Sequence, residues 1–230
     1  MLGFHIKPPK RLNTIYQIYY DQKSKDNCLS WATPIDNPHA SVYLENDVII
    51  EKVSTYQGNA VAVCSHKLLQ KMPNNPYTAS GELFTQEYID KQMNEYDILF
   101  LQRHPGSTHM LQSMENWHPG SRYMMQELFR AMGFDFNVDQ TLRHVVYSNH
   151  VMAKTEIYKQ YVDFLIHARN TMEQMPEVFF VDSGYTTLAG PLPDHLAESW
   201  GIDFWPMHPF ICERLWSIWL QDKNYKICLV

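Results

Sequence analysis

The residues with the most chemistry to offer lie in the stretch Tyr96-Asp97-Ile98-Leu99-Phe100-Leu101-Gln102-Arg103-His104-Pro105. Residues 98–102 open with the apolar run Ile98-Leu99-Phe100-Leu101 and are bounded by Glu95 and Asp97 before and by Pro105-Gly106 after, which predicts a short buried β-strand. In an open α/β sheet, ligands bind beyond the carboxyl ends of the strands. What this strand delivers there is Gln102, Arg103 and His104, a cationic, hydrogen-bonding triplet suited to an anionic ligand. The opening of a solvated loop accounts for Arg103 and His104 equally well. Other familiar chemistries are missing. The chain has no Gly-x-Gly-x-x-Gly, no Walker-type Gly-Lys-Ser/Thr and no Gly-x-Ser-x-Gly, which argues against a nucleotide triphosphatase, a standard dinucleotide dehydrogenase and a serine hydrolase. Among the 11 histidines, His104, His109 and His118 are not spaced as helical zinc ligands, so no metal site is expected from them. Glu213 and Arg214 are neighbours near the start of a predicted helix. Adjacent helical residues point in different directions, so they are not expected to face one partner, and a structural salt bridge made by either is the favoured account.

The elements that must position these residues alternate between strand and helix, which predicts an α/β fold. Residues 14–20 are rich in β-branched and aromatic types and predict the first strand, with Asp21 at its carboxyl end. A polar loop through Asp26 and Asn27 follows, then a turn cluster at Pro34-Ile35-Asp36-Asn37-Pro38. Helical periodicity of Val42, Glu45, Ile49 and Val53 predicts a helix over 41–53. Ala60-Val61-Ala62-Val63-Cys64 is fully apolar, as a central parallel strand would be, and Ser65-His66-Lys67 stands past its end ahead of a short helical segment to Met72. Further helices are predicted over 85–94, with Thr85 or Ser80 as cap, and over 109–117 and 121–132, the last closed by Gly133. A strand is expected at 144–148, leading into Asn149, and a long helix over 155–175 capped by Thr155. Residues 176–207 read as irregular. A last helix starts at His208-Pro209, and 225–230 predict a closing strand.

Composition narrows the class. A content of 45% hydrophobic and 13% aromatic residues is that of a packed globular protein, and 230 residues suit one large domain, here taken as 1–230. The net charge of −6 and the lack of any Lys/Arg block leave no electrostatic footprint for nucleic acid or an anionic membrane. No apolar run approaches a membrane span, and the N-terminus lacks the apolar core of a signal peptide. The 4 scattered cysteines, none in Cys-x-x-Cys, read as reduced thiols of a cytoplasmic protein.

The order of several stretches carries a resemblance: Ile15-Tyr16-Gln17-Ile18-Tyr19-Tyr20-Asp21, Tyr43-Leu44-Glu45-Asn46-Asp47, Tyr96-Asp97-Ile98-Leu99, Tyr147 through Lys154, and Glu213-Arg214-Leu215-Trp216-Ser217-Ile218-Trp219-Leu220. In this order they resemble the GT-A class of nucleotide-sugar glycosyltransferases, and most nearly the small glycosyltransferase domains of capsule and lipopolysaccharide gene clusters and of large algal viruses. The resemblance implies a Rossmann-type mixed, mainly parallel sheet flanked by helices. It also implies transfer of a sugar from a nucleotide-diphosphate donor to a saccharide or glycan acceptor in surface-glycan synthesis.

In most of that class the strand matching 98–101 ends in Asp-x-Asp, which holds Mn2+ or Mg2+ against the diphosphate. Here Gln102-Arg103-His104 stands in its place and offers a hard cation little. The expectation is therefore that Arg103 and His104 stabilise the departing diphosphate without a bound metal, Mn2+ or Mg2+ being disfavoured. The resemblance further implies that Tyr19, Tyr20 and Asp21 bind the base and ribose, that Lys67 contacts phosphate, and that Asn149 contacts sugar or acceptor. Tyrosines in the core and a surface lysine are the plainer accounts of those positions. Glu45 is either a functional carboxylate or a solvated helix residue. Asp182, Asp194, Asp203 and Glu213 are the candidates to take the acceptor's proton, with Glu213 favoured. The alternative, from another class, is an inactive glycan- or partner-binding module on the same fold.

Overall fold

A computed structural model describes residues 12–37, 41–72, 76–101 and 109–230. Gln102, Arg103 and His104 lie outside the described residues. Six strands, β1 (Asn13–Tyr19), β2 (Thr33–Asp36), β3 (Ala60–Ser65), β4 (Ile98–Phe100), β5 (Val151–Lys154) and β6 (Ile227–Leu229), form one sheet in the order β2-β1-β3-β5-β4-β6. β1 is parallel to β2 and β3, and β4 to β6, whereas β5 is antiparallel to both its neighbours. The sheet is mixed and mainly parallel, as expected.

Alternation along the strands divides the core between the two faces. Val61, Val63, Ile98, Phe100, Val151 and Ala153 face one cluster, and Ala60, Ala62, Cys64, Leu99 and Met152 the other. The larger cluster is covered by α2 (Glu45–Thr55), α4 (Met110–Trp117), α5 (Ser121–Ala131), α6 (Thr155–Glu173), α10 (His208–Cys212) and α11 (Leu215–Trp219). The smaller is covered by α3 (Gln86–Glu95), whose Thr85 caps it by accepting from the Tyr88 amide. α1 (Gln22–Asp26) follows β1, and three short helices, α7 (Pro176–Phe179), α8 (Thr186–Ala189) and α9 (Asp194–Trp200), break up the stretch read as irregular. Among the described residues, no helix is long and apolar enough to cross a membrane.

Several local expectations are corrected. The turn cluster at 34–38 contains an edge strand, β2, where Pro34 is tolerated because only one side of the strand must pair. The polar loop after β1 contains α1: Asp21 accepts from the Ser24 amide, and Ser24 Oγ accepts from the Asp21 amide, a reciprocal cap. No strand forms at 144–148. There both backbone groups of Val146 are taken by Ser217 Oγ, which accepts from its N–H and donates to its carbonyl, so the ladder begins only at Val151. Thr155 does not cap α6; its hydroxyl donates to the Gly58 carbonyl and ties the helix start to the loop before β3.

The last helix is two. Between α10 and α11, Glu213 and Arg214 form a junction and pair with each other at 2.5 Å. The adjacency argument assumed one continuous helix, and the break removes that assumption.

The heart of the larger cluster is aromatic. Trp216 is fully buried, lies flat against Tyr161 with ring centroids 3.7 Å apart, and meets Tyr158 edge-on at 5.0 Å. We expect Trp216→Ala to destabilise the protein by about 3–5 kcal/mol, read from the urea midpoint, because the void cannot be refilled. His208 sits beside Tyr43 and Phe180, 3% exposed, and burial followed by the nearby Arg169 charge pushes its imidazole pKa down to about 4. A histidine held neutral in the fold contributes stability that is complete above its unfolded pKa of about 6.5 and falls as pH drops toward the folded value. Unfolding free energy should therefore decline between pH 6.5 and about 4, by roughly 3 kcal/mol from this residue alone. His208→Gln should flatten that slope; an unchanged slope would contradict the assignment.

Candidate active site

The carboxyl edge of β1 and β3 is where the chemistry-bearing residues meet. Tyr20 leaves β1 one residue past its end, and its hydroxyl donates to Glu45 Oε1 at 2.6 Å. Its ring stands edge-on to His66, the first residue after β3, with centroids 5.3 Å apart. The edge is drawn together by backbone bonds: the His66 amide donates to the Ile18 carbonyl, the Asn37 amide to Tyr19, and the Leu101 amide to His150.

Glu45 is the first residue of α2, and its placement is forced. Leu44 before it has φ 53° and ψ −119°, the one non-glycine positive φ among the described residues, a strained conformation that persists only where surrounding contacts over-determine it. Those contacts can be named. Ser41 Oγ bonds the Asp47 carboxylate and accepts from the Tyr43 amide. Asn46 Nδ2 donates to the Tyr43 carbonyl at 2.8 Å. Arg169 on α6 pairs with Asp47 at 2.6 Å and lies 4.0 Å over the Tyr43 ring. Glu45 is thus clamped from both sides, with its carboxylate turned to Tyr20. Burial, and then the negative charge of Glu213, raise its pKa; the Tyr20 hydrogen bond and the charges of Lys71 and Lys67 act against that rise.

Because β5 runs against its neighbours, its beginning reaches this same edge. Asn149 is 2% exposed; its Nδ2 donates to Asn46 Oδ1 at 3.2 Å, while its own buried Oδ1 has no partner among the described residues. His150 Nε2 lies 3.1 Å from Ser65 Oγ, and its buried Nδ1 has no partner among the described residues. Burial holds the His150 pKa well below that of free imidazole, with Lys71 and His66 adding to the effect, so the ring is neutral at pH 7.

The opposite wall comes from the C-terminal third. Glu213 is close enough to influence the ionisation of Tyr20, Glu45, Tyr185 and His118. Its partner Arg214 is 8% exposed, lies 5.7 Å over the Tyr147 ring and keeps a buried Nε without an acceptor among the described residues. His118 Nδ1 is 2.9 Å from the Ser183 carbonyl, which can only accept, so the proton sits on Nδ1 and Nε2 carries the lone pair. The ring lies 4.1 Å from Phe210, and burial lowers its pKa.

Of the residues singled out from sequence, Tyr20 and Glu213 converge here, with Glu45 between them in the electrostatic network. Asn149 reaches the edge through Asn46, and Lys67 follows His66, exposed and within range of Glu45. Asp21 stands at the edge, but its carboxylate caps α1 at 2.6 Å. The Tyr19 ring lies under Lys25 at 5.1 Å. Asp182 is bound to the Gly184 amide of its own turn. His66, His118 and Tyr185 were missed as members of the group, since nothing in the spacing of three residues so far apart brings them together. His66 alone had a usable signal, its place one residue beyond an apolar strand. Among the described residues no group of three or more His, Cys, Asp or Glu side chains is arranged to hold a metal ion.

No protein-family model matches the chain, and no curated protein matches it. Among solved structures it is similar to the apo structure of WbbM, described as a bifunctional glycosyltransferase. The identity is 13% and the TM-score 0.44, over 95% of this chain and 44% of that one. The chain therefore spans less than half the length of that protein.

Proposed function

We propose that this chain is a glycosyltransferase that moves a sugar from a nucleotide-diphosphate donor to a saccharide acceptor, serving surface-glycan synthesis on the cytoplasmic side. The observation that carries the reading is the Tyr20–Glu45 bond at 2.6 Å with Glu213 nearby, at the carboxyl edge of a mixed, mainly parallel sheet. Two carboxylates in unlike environments at that edge are what group transfer to a hydroxyl needs, one to receive a proton and one to orient cations. The order of motifs from Ile15 to Leu220 supplies the nucleotide-sugar part of the proposal.

In this reading the donor's base and ribose lie against Tyr20 and the end of β1. The diphosphate is met by cations: Lys67, Arg214, and Arg103 and His104, which follow Leu101 in sequence. Catalysis then consists of electrostatic stabilisation of the leaving diphosphate by fixed guanidinium and ammonium groups. The acceptor approaches past the turn that precedes α2, where a cavity of about 380 Å³ is lined by Tyr43, Phe180, Trp200 and His208 with Arg169 and Glu173. Ring faces and paired charges suit a sugar's C–H faces and hydroxyls.

The test is thermal stability across UDP-, GDP- and dTDP-sugars, with Mn2+ and with EDTA, followed by product detection with the stabilising donor. A bound donor at 100 times its Kd should add about 2.7 kcal/mol of stability by mass action, undiminished in EDTA. Arg103→Ala should lose this stabilisation while its unliganded melting temperature stays unchanged. No response to any donor would contradict the proposal. A response abolished by EDTA would contradict its metal-independent part.

A further inference from the structure

Resting on the transferase reading above, we infer that Glu45, and not Glu213, is the base that takes the proton from the acceptor's hydroxyl. The two carboxylates differ in what they touch. Glu213 Oε2 accepts a charge-assisted hydrogen bond from the Arg214 guanidinium at 2.5 Å, so its carboxylate is already engaged by a cation. Glu45, which is partly buried, accepts a hydrogen bond from the neutral Tyr20 hydroxyl and pairs with no cation among the described residues. The strained Leu44 backbone and the clamp made by Asp47, Arg169 and Tyr43 hold it in one place, as a group acting in one geometry requires.

The step balances without any further reagent. The acceptor oxygen forms a bond to the donor's anomeric carbon as its proton passes to a Glu45 carboxylate oxygen. The bond from that carbon to the diphosphate breaks, and its electron pair leaves with the nucleoside diphosphate. Glu213 then acts through Arg214, orienting the guanidinium whose Nε has no acceptor among the described residues. It is a positioning residue in this scheme.

The groups that set the proton affinity of Glu45 come from each element packed against it. Tyr20 lies at the end of β1, Lys67 and Lys71 lie in the segment after β3, and Glu213 lies at the α10–α11 junction. Burial and Glu213 raise the carboxyl's pKa, and the Tyr20 bond lowers it. The rate should therefore rise with pH on an acid limb lying above the usual glutamate range. Removing the Tyr20 hydroxyl should move that limb to still higher pH.

The experiment compares the pH profile of kcat/KM for transfer in wild type, Glu45→Gln, Tyr20→Phe and Glu213→Gln, with donor-induced thermal stabilisation measured for each. We expect Glu45→Gln to lose about 10²–10⁴-fold in transfer while keeping donor stabilisation, the range that removing a general base spans. Tyr20→Phe, whatever it loses in donor binding, should show its acid limb displaced upward, a change that a purely structural loss does not produce. Glu213→Gln should weaken donor stabilisation and, by removing a negative charge that raises the Glu45 pKa, move the acid limb to lower pH without abolishing it. Transfer by Glu45→Gln within threefold of wild type, or a limb that stays put in Tyr20→Phe, would overturn the assignment alone. A wild type that neither binds nor turns over any donor would overturn the transferase reading, and the assignment with it.

Discussion

The reversal of one strand is the constraint on which the rest of this structure depends. β5 lies between β3 and β4 and runs against both, so it is the beginning of that strand, and not its end, that joins the carboxyl ends of the others. The register Ala62↔Met152 then sets His150 beside Ser65, and Asn149 one residue earlier against Asn46 at the start of α2. A parallel β5 would have sent both residues to the opposite edge and left the start of α2 without its buried amide partner. The direction of four residues therefore decides whether a site can exist at this edge.

Around that constraint the molecule spends stability on placement. A leucine is held at positive φ, and two histidines and an asparagine at the edge keep buried polar atoms without partners among the described residues. Each is unfavourable on its own, since a buried, unbonded polar group costs roughly 1–3 kcal/mol. The offsetting terms lie away from the edge, in the stacked Tyr161–Trp216 core and in the two-faced burial of β3, all six residues of which are buried. Backbone strain beside buried polar atoms at a sheet edge is a mark of a region shaped for a ligand.

Much of the framework was legible in the sequence because it rests on local rules. The apolar runs at 60–64 and 98–101, the helical periodicity after Val42, and Thr85 as a cap all appear where residue type and spacing place them. What was illegible depends on distant partners. Nothing local says that Ser217 will take the backbone groups of Val146 and stop a strand from forming, or that α10 will break before Glu213 and let it reach its own neighbour. Asn149 was expected at the edge as the residue past a strand's end. It is there because a strand begins after it. Glu45 read as either a solvated or a functional carboxylate, and only the approach of Tyr20, 25 positions earlier, distinguishes the two.

The claim beneath all of this is that the edge formed by Tyr20, Glu45, His66, Asn149 and Glu213 is where a nucleotide-linked sugar sits. Its most direct test is a crystal structure of the wild-type protein with the nucleoside diphosphate of whichever donor stabilises it. The account predicts density for the diphosphate at the carboxyl edge of β1 and β3, with the Arg214 Nε or another cation of this edge bonded to it and the Glu45 carboxylate still held by Tyr20. Density for the nucleotide at the opposite edge of the sheet, or in a cleft among the outer helices, would contradict it.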